Sequence, residues 1–247
     1  MIPPMMFEDL IEKLLHESRD KNRAFDLDDT CIDFSRFFVQ SLNAQFGTAL
    51  SHEQVVSYDT SKILPLKEKG ATLHTVGAVV RAMGNSAAFM QLKVRPYFYP
   101  VMSYFTDGMQ KIGYERNFLL TSRSTDFYDN PLEKTLSYVA KHSLSIPAQN
   151  VLLTRQKVEK ALEKNVAVAF EDNLEIALAY AQEKIPVFLF RQPWNDITHY
   201  DTELLSTEDL HAKEQLVAKA ARYTGEYVFR VENWKILSDI IYTRLVH

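Results

Sequence analysis

The sequence predicts an α/β protein: a parallel sheet with helices on both faces and a helical cap inserted after the first strand. Short apolar runs of strand length alternate with segments whose apolar residues recur every three or four positions, the pattern of a parallel sheet crossed by helices. Acids and hydroxyls gather where those runs end, and open α/β sheets bind their ligands at the carboxyl ends of the strands. Between the first and second runs, residues 48–100 show no strand–helix rhythm. That span is far longer than a crossover needs, and reads as an inserted cap of several short helices.

The elements follow in order. Residues 4–18 place Phe7, Leu10, Ile11, Leu14 and Leu15 on one side of an amphipathic helix. Arg23-Ala24-Phe25 ends the first strand, and Phe34, Phe37, Phe38, Leu42 and Phe46 mark the helix after it. Pro96 and Pro100 lead back to the main domain. Val101, Phe105, Met109 and Ile112 predict a helix stopped by Gly113. Residues 117–122 form the second strand, a helix starts near Pro131, and residues 150–154 form the third strand. A short helix over 158–164 leads to a fourth strand at 165–170, then a helix over 174–184 to a fifth at 186–190. Ser206 caps a helix that Gly225 ends, residues 228–231 are an edge strand or an extended link, and a helix over 232–245 closes the chain. The division is a core of residues 1–32 and 101–247 with a cap of residues 33–100.

The bulk numbers exclude several functions. The 247 residues are 46% hydrophobic and 24% charged, ordinary for a globular protein with a sizeable core. A net charge of -4 gives no basic surface for a nucleic-acid polymer, although local cations or a metal still allow a small anionic ligand. Cys31 is the single cysteine, so neither an intramolecular disulfide nor a cysteine zinc cluster is available. The start of the chain lacks a signal-peptide pattern, and no apolar run approaches a membrane span. A cytoplasmic protein without a membrane partner is expected.

The chemistry centres on Asp26-Leu27-Asp28-Asp29-Thr30. Two acids this close repel if both ionise, so the pair implies a cation or unequal pKa values. Alone, the motif divides evenly between catalysis and a helix cap built from Asp28, Asp29 and Thr30. A calcium loop is excluded, because counting from Asp26 finds Cys31 where Gly is needed and Phe37 where Glu is needed. The other strand ends decide for catalysis. Thr121 and Ser122 end the second strand and Glu171-Asp172 the fourth, while Lys134 lies early in the helix after the second. A carboxylate attacking phosphorus brings anion to anion, and Mg2+ on hard oxygen ligands such as Asp26 and Asp172 offsets that repulsion. A hydroxyl and an ammonium, Thr121 and Lys134, suit the remaining phosphate oxygens, with Lys157 and Lys160 as rivals for the cation. Asp28 suits the acid and base steps. None of the seven histidines forms a metal-spaced pair.

This order of motifs resembles the haloacid-dehalogenase superfamily of phosphohydrolases, over residues 23–190. Asp26-x-Asp28-x-Thr30 resembles its first motif, Thr121 the second, Lys134 the third and Glu171-Asp172 the fourth. The resemblance implies a Rossmann-like sheet with a helical cap inserted after the first motif. It also implies Asp26 as nucleophile, Asp28 as acid and base, and Mg2+ held by Asp26, the backbone carbonyl of Asp28, and Asp172. A closer resemblance is to the 5'(3')-deoxyribonucleotidases. It is carried by Asp33-Phe34, Pro131-Leu132-Glu133-Lys134, Leu153-Thr154-Arg155-Gln156-Lys157, Gln192-Pro193-Trp194-Asn195 and Val231-Glu232-Asn233-Trp234. The first motif departs from that group's usual Asp-Met-Asp-Gly-Val, and most of residues 48–100 shows no match to it.

An Mg2+-dependent phosphomonoesterase acting through an aspartyl-phosphate is therefore expected, with a 5'-nucleotidase as the narrower reading. Thr121, Ser122 and Lys134 would bind phosphate. Phe34, Arg123, Arg155 and Lys157 would meet the rest of the substrate, although Phe34 equally fits core packing, and the three cations equally fit solvated loop charge. Trp194 and Trp234 are expected to anchor the tail. The alternatives are a phosphatase of another small ester such as a sugar phosphate, a receiver-type phosphoacceptor, and a catalytically silent binding protein of the same fold.

Overall fold

The computed structural model describes residues 4–106, 113–196 and 203–246. Six strands, β1 (Asn22–Phe25), β2 (Asn117–Thr121), β3 (Val151–Leu153), β4 (Val166–Glu171), β5 (Val187–Phe190) and β6 (Val228–Val231), form one sheet in the order β3-β2-β1-β4-β5-β6. Every neighbouring pair is parallel. Residues 228–231, open between strand and link in the sequence, are the parallel edge strand.

Alternation along the strands divides the core between two faces. Phe25, Phe170, Phe188 and Phe190 pack with Trp234 and with α1 (Pro4–Ser18), α5 (Phe98–Thr106), α6 (Pro131–Lys141) and α10 (Trp234–Ile240). Ala24, Phe118, Leu120, Val187 and Leu189 face α7 (Lys157–Glu163), α8 (Leu174–Gln182) and α9 (Thr207–Ala221). One correction concerns the end of an element: the closing helix is α10 followed by a wider turn of π-helix over Ile241–Leu245. The helix expected over 101–112 is described as α5 as far as Thr106, and its expected residues Met109 and Ile112 lie outside the described residues.

Between β1 and β2 lies a helical segment: α2 (Ser35–Phe46), α3 (Leu64–Glu68), α4 (Leu73–Gly84) and short 3-10 turns. It has its own apolar cluster, including Val39, Leu42, Ile63, Leu66 and Val79, which also takes in Leu204 and Leu205 from before α9. At its root the outgoing and returning chains pair. The Asp33 amide donates to the Lys93 carbonyl at 3.1 Å and the Arg95 amide to the Cys31 carbonyl at 2.8 Å. The root of the segment is thus tied to the loop that carries the acid pair.

Burial is not confined to apolar residues. Arg23, on the central strand, is fully buried. Its guanidinium donates to the Asn117 side chain at 2.8 Å and to the backbone carbonyls of Ser18, Arg19 and Gly113. Those acceptors offset the cost of burying a charge and fasten β1 to α1 and to the entry of β2. Among the described residues no helix is long and apolar enough to cross a membrane.

Candidate active site

The strand order reverses at β1, between β2 and β4, which is where a crevice opens at the carboxyl edge of such a sheet. Asp26 directly follows β1, and its amide donates to the Phe170 carbonyl of β4 at 2.9 Å, so the ladder delivers it buried at the sheet edge. Beyond it the loop closes tightly: the Cys31 and Ile32 amides both donate to the Leu27 carbonyl at 3.0 Å. Asp29 takes a positive φ of 61°, a conformation that aspartate tolerates better than most residues. Its carboxylate accepts from the Ser35 amide at 2.9 Å and from Arg95 at 3.0 Å. Of the helix-cap reading only Asp29 remains: it satisfies the amide of Ser35, the first residue of α2, whereas Asp28 pairs with Arg123 and Thr30 with Asp172.

On the neighbouring strand, β4 ends in Glu171, followed by Asp172 and by Asn173, which caps α8 by accepting from the Glu175 and Ile176 amides. Lys157, at the start of α7, joins the two strand ends. Its buried Nζ lies 2.5 Å from Asp26 Oδ1 and 2.6 Å from Glu171 Oε1. Glu171 also accepts from the Asp172 amide at 3.0 Å. Asp172 accepts from the Trp194 indole Nε1–H at 3.2 Å and from the Thr30 hydroxyl at 3.4 Å.

Asp26, Glu171 and Asp172 each offer an oxygen, and these atoms lie within 4.8 Å of one another. Burial pushes the Asp26 carboxyl up to about 7, with Lys157 opposing and Glu171 and Asp28 adding to the rise. Burial also drives Asp172 well above the usual carboxylate range, helped by Glu171, Asp26 and Asp29. Lys157 moves the other way from what burial dictates: the two carboxylates it touches raise it well above an ordinary lysine. Ionising all three buried carboxylates beside one ammonium would leave an excess of negative charge on an all-oxygen donor set. A hard divalent cation such as Mg2+ fits that set.

The remaining expected residues divide. Thr121 is buried at the end of β2, and the Thr154 amide donates to its carbonyl. Ser122 follows, its hydroxyl 3.4 Å from the Thr154 carbonyl. Phe34 is partly buried, stacks on Phe38 with ring centroids 5.8 Å apart, and packs against the core. Lys134 is a correction. Its ammonium donates to the Gly84 carbonyl and the Asn85 side chain at the end of α4, and it is Lys157 that reaches Asp26. Lys160 pairs with Glu163.

Arg123 is not a solvated loop charge: it is buried, donates to both oxygens of Asp28 at 2.6 and 3.0 Å, and lies over the Phe89 ring at 4.4 Å. It orients the second acid of the motif. Arg155 is exposed and paired with Asp126 at 2.6 Å. Sequence reasoning missed two contacts: Glu171 as the second partner of Lys157, and Trp194 as a donor to Asp172. The Glu171-Asp172 pair was a visible signal for the first; nothing in the sequence marks the second.

Residues 23–222 match the model of the family described as 5' nucleotidase, deoxy (pyrimidine), cytosolic type C protein. Two solved structures are similar. One is described as a candidate beta-phosphoglucomutase from Bacteroides vulgatus, at 14% identity and a TM-score of 0.48, covering 96% of this chain and 99% of that one. The other is a conserved haloacid dehalogenase-like protein of unknown function from Agrobacterium tumefaciens, at 12% identity and a TM-score of 0.47, covering 90% and 97%. No curated protein matches.

Proposed function

The chain belongs to the family of deoxy (pyrimidine), cytosolic type C 5' nucleotidases and is a phosphatase of the haloacid-dehalogenase type; from that premise we propose that it is an Mg2+-dependent phosphomonoesterase working through an aspartyl-phosphate on Asp26, with (deoxy)nucleoside 5'-monophosphates as substrates. The observation that carries this reading is the buried Asp26, Glu171 and Asp172 cluster with the Lys157 ammonium between Asp26 and Glu171.

In the proposed reaction, an Asp26 carboxylate oxygen attacks phosphorus as the bond to the leaving oxygen breaks. Asp28 delivers a proton to that oxygen. Water then attacks the aspartyl-phosphate as Asp28, now ionised, takes a proton from it, and phosphate leaves with Asp26 and Asp28 both regenerated. Lys157 opposes the rise that burial imposes on the Asp26 carboxyl and offsets the charge of the incoming phosphate. Thr121 and Ser122, at the end of β2, bind phosphate oxygens. Mg2+ held by Asp26, Asp172 and the backbone carbonyl of Asp28 would supply further charge neutralisation at the phosphate. Arg123 holds Asp28 in one orientation through its two hydrogen bonds. The segment 33–100 acts as a cap over this edge, with Phe34 facing the base or sugar. A cytoplasmic location is part of the same proposal, in keeping with the family's description.

The test is phosphate release from ribo- and deoxyribonucleoside 5'- and 3'-monophosphates, sugar phosphates and an activated aryl phosphate, with and without Mg2+. Metal-dependent release that favours nucleotides is expected, and Asp26→Asn abolishes it. Release from sugar phosphates alone would replace the nucleotide reading. Undiminished turnover by purified Asp26→Asn would remove the covalent mechanism.

A further inference from the structure

Asp172 is held on three sides by groups that leave one freedom open. Its amide donates to Glu171 at 3.0 Å, and its carbonyl accepts from the Asn195 side chain at 2.6 Å. The backbone is therefore fixed, and only the side-chain torsions of Asp172 remain to be set. Two donors set them: the Trp194 indole on Oδ2 at 3.2 Å and the Thr30 hydroxyl on Oδ1 at 3.4 Å. The indole is the closer.

Trp194 itself is built in. It sits in the short 3-10 turn Pro193–Asn195 that follows β5, closed at both ends by reciprocal hydrogen bonds between Gln192 and Asn195. Asn195 also donates to the Phe190 carbonyl at 2.8 Å, and Lys213 donates to the Pro193 carbonyl at 3.3 Å. The other edge of the indole meets the inserted segment. It makes edge contacts with His52 and Tyr58, at centroid distances of 6.0 and 6.4 Å, and packs with the apolar cluster of that segment. His52 is in turn 2.7 Å from the Ser35 hydroxyl at the start of α2.

We infer that Trp194 is a positioning residue for the metal site: its N–H fixes the orientation of the ligand carboxylate of Asp172, and its ring ties that orientation to the inserted helical segment. The inference rests on the proposed metal role of Asp172. Groups that orient ligands in this way typically contribute about 10–100-fold to metal affinity. The indole is suited to the task because it is a donor only, so it never competes for the cation.

Trp194→Phe keeps an aromatic ring against His52 and Tyr58 and removes the donor. Calorimetric titration of the full chain with Mg2+ is expected to show a dissociation constant about tenfold weaker in the variant. The metal-free melting temperature should hold, and kcat should recover at saturating Mg2+. In the wild type, Mg2+ is expected to move the indole 15N–1H resonance of Trp194. That signal is told apart from Trp234, whose indole is 1% exposed and donates to the Thr30 carbonyl, by its faster solvent exchange. This second readout needs no variant to fold. An Mg2+ affinity in Trp194→Phe within about threefold of wild type, or an unmoved Trp194 resonance while wild type binds Mg2+, overturns the inference alone. A wild type that takes up no Mg2+ overturns the metal reading and this inference with it.

Discussion

Lys157 is bonded to Asp26 and Glu171 together, both within 2.6 Å. Removing its ammonium leaves two buried carboxylates facing each other without a charge between them. Lys157→Met is therefore expected to lower kcat by about 10²–10³, the usual cost of losing a group that stabilises charge at a reacting centre. Lys134→Met removes only contacts to Gly84 and Asn85, and its kcat should stay near wild type. Steady-state kinetics of the two variants side by side decides between the lysines; the reverse ranking would restore Lys134 as the phosphate-binding cation. Spacing along the chain could not separate them. Both lysines stand in the first turns of helices that follow strands, and the distinction lies in where each side chain points. Arg123 shows the same limit. Its position beside Thr121 and Ser122 was legible, but its partner Asp28 is 95 residues away.

Among the elements, the two capped helices α8 and α9 separate stability from activity. Asn173 caps α8 and directly follows Asp172, whereas Ser206 caps α9 by accepting from the Asp209 amide at 3.2 Å. Replacing either with alanine should cost about 1 kcal/mol in urea denaturation. Asn173→Ala should also weaken turnover, because fraying the first turn of α8 loosens the backbone of Asp172. Ser206→Ala should leave kcat/KM unchanged. Equal kinetic effects in the two would show that overall stability, not the geometry beside Asp172, is what turnover senses. The elements themselves were largely readable: five of the six strands and the flanking helices follow from apolar periodicity, and residues 228–231 stayed open between strand and link. The turn carrying Asp29 at positive φ was not, because that conformation depends on Ser35 and Arg95 holding its carboxylate.

For the whole molecule, the buried acids make stability depend on pH and metal. The native carboxyl of Asp26 stands at about 7 and that of Asp29 at about 6, each raised first of all by burial. An unfolded aspartate titrates near ~3.9. Between these values the native state binds more protons than the unfolded state, so the contribution of these groups to stability falls as pH rises from about 4 to about 7. Below that window both states are protonated and the penalty is absent; above it the penalty is fully present. A divalent cation favours the ionised carboxylates and should offset the loss. Melting curves at pH 5 and pH 8 are expected to show a larger Mg2+-induced rise at pH 8. At 100 times its dissociation constant the ion contributes about 2.7 kcal/mol, several degrees for a chain of this length. An equal Mg2+ effect at both pH values would mean that the cation does not bind this cluster.

The sequence by itself determined the fold class, the strand-end placement of Asp26, Thr121 and Asp172, and the phosphatase chemistry those residue types imply. The first two follow from local periodicity and residue type at a strand end, and the third from the resemblance of the motif order to a known family; none needs knowledge of what lies across the sheet. Only the tertiary structure decided that Lys157 and not Lys134 meets Asp26, that Arg123 orients Asp28, and that Trp194 reaches Asp172. These are contacts between segments 22 to 131 residues apart in the chain. They are set by strand order and helix packing, which bring distant segments to one edge and leave no periodic trace in the sequence.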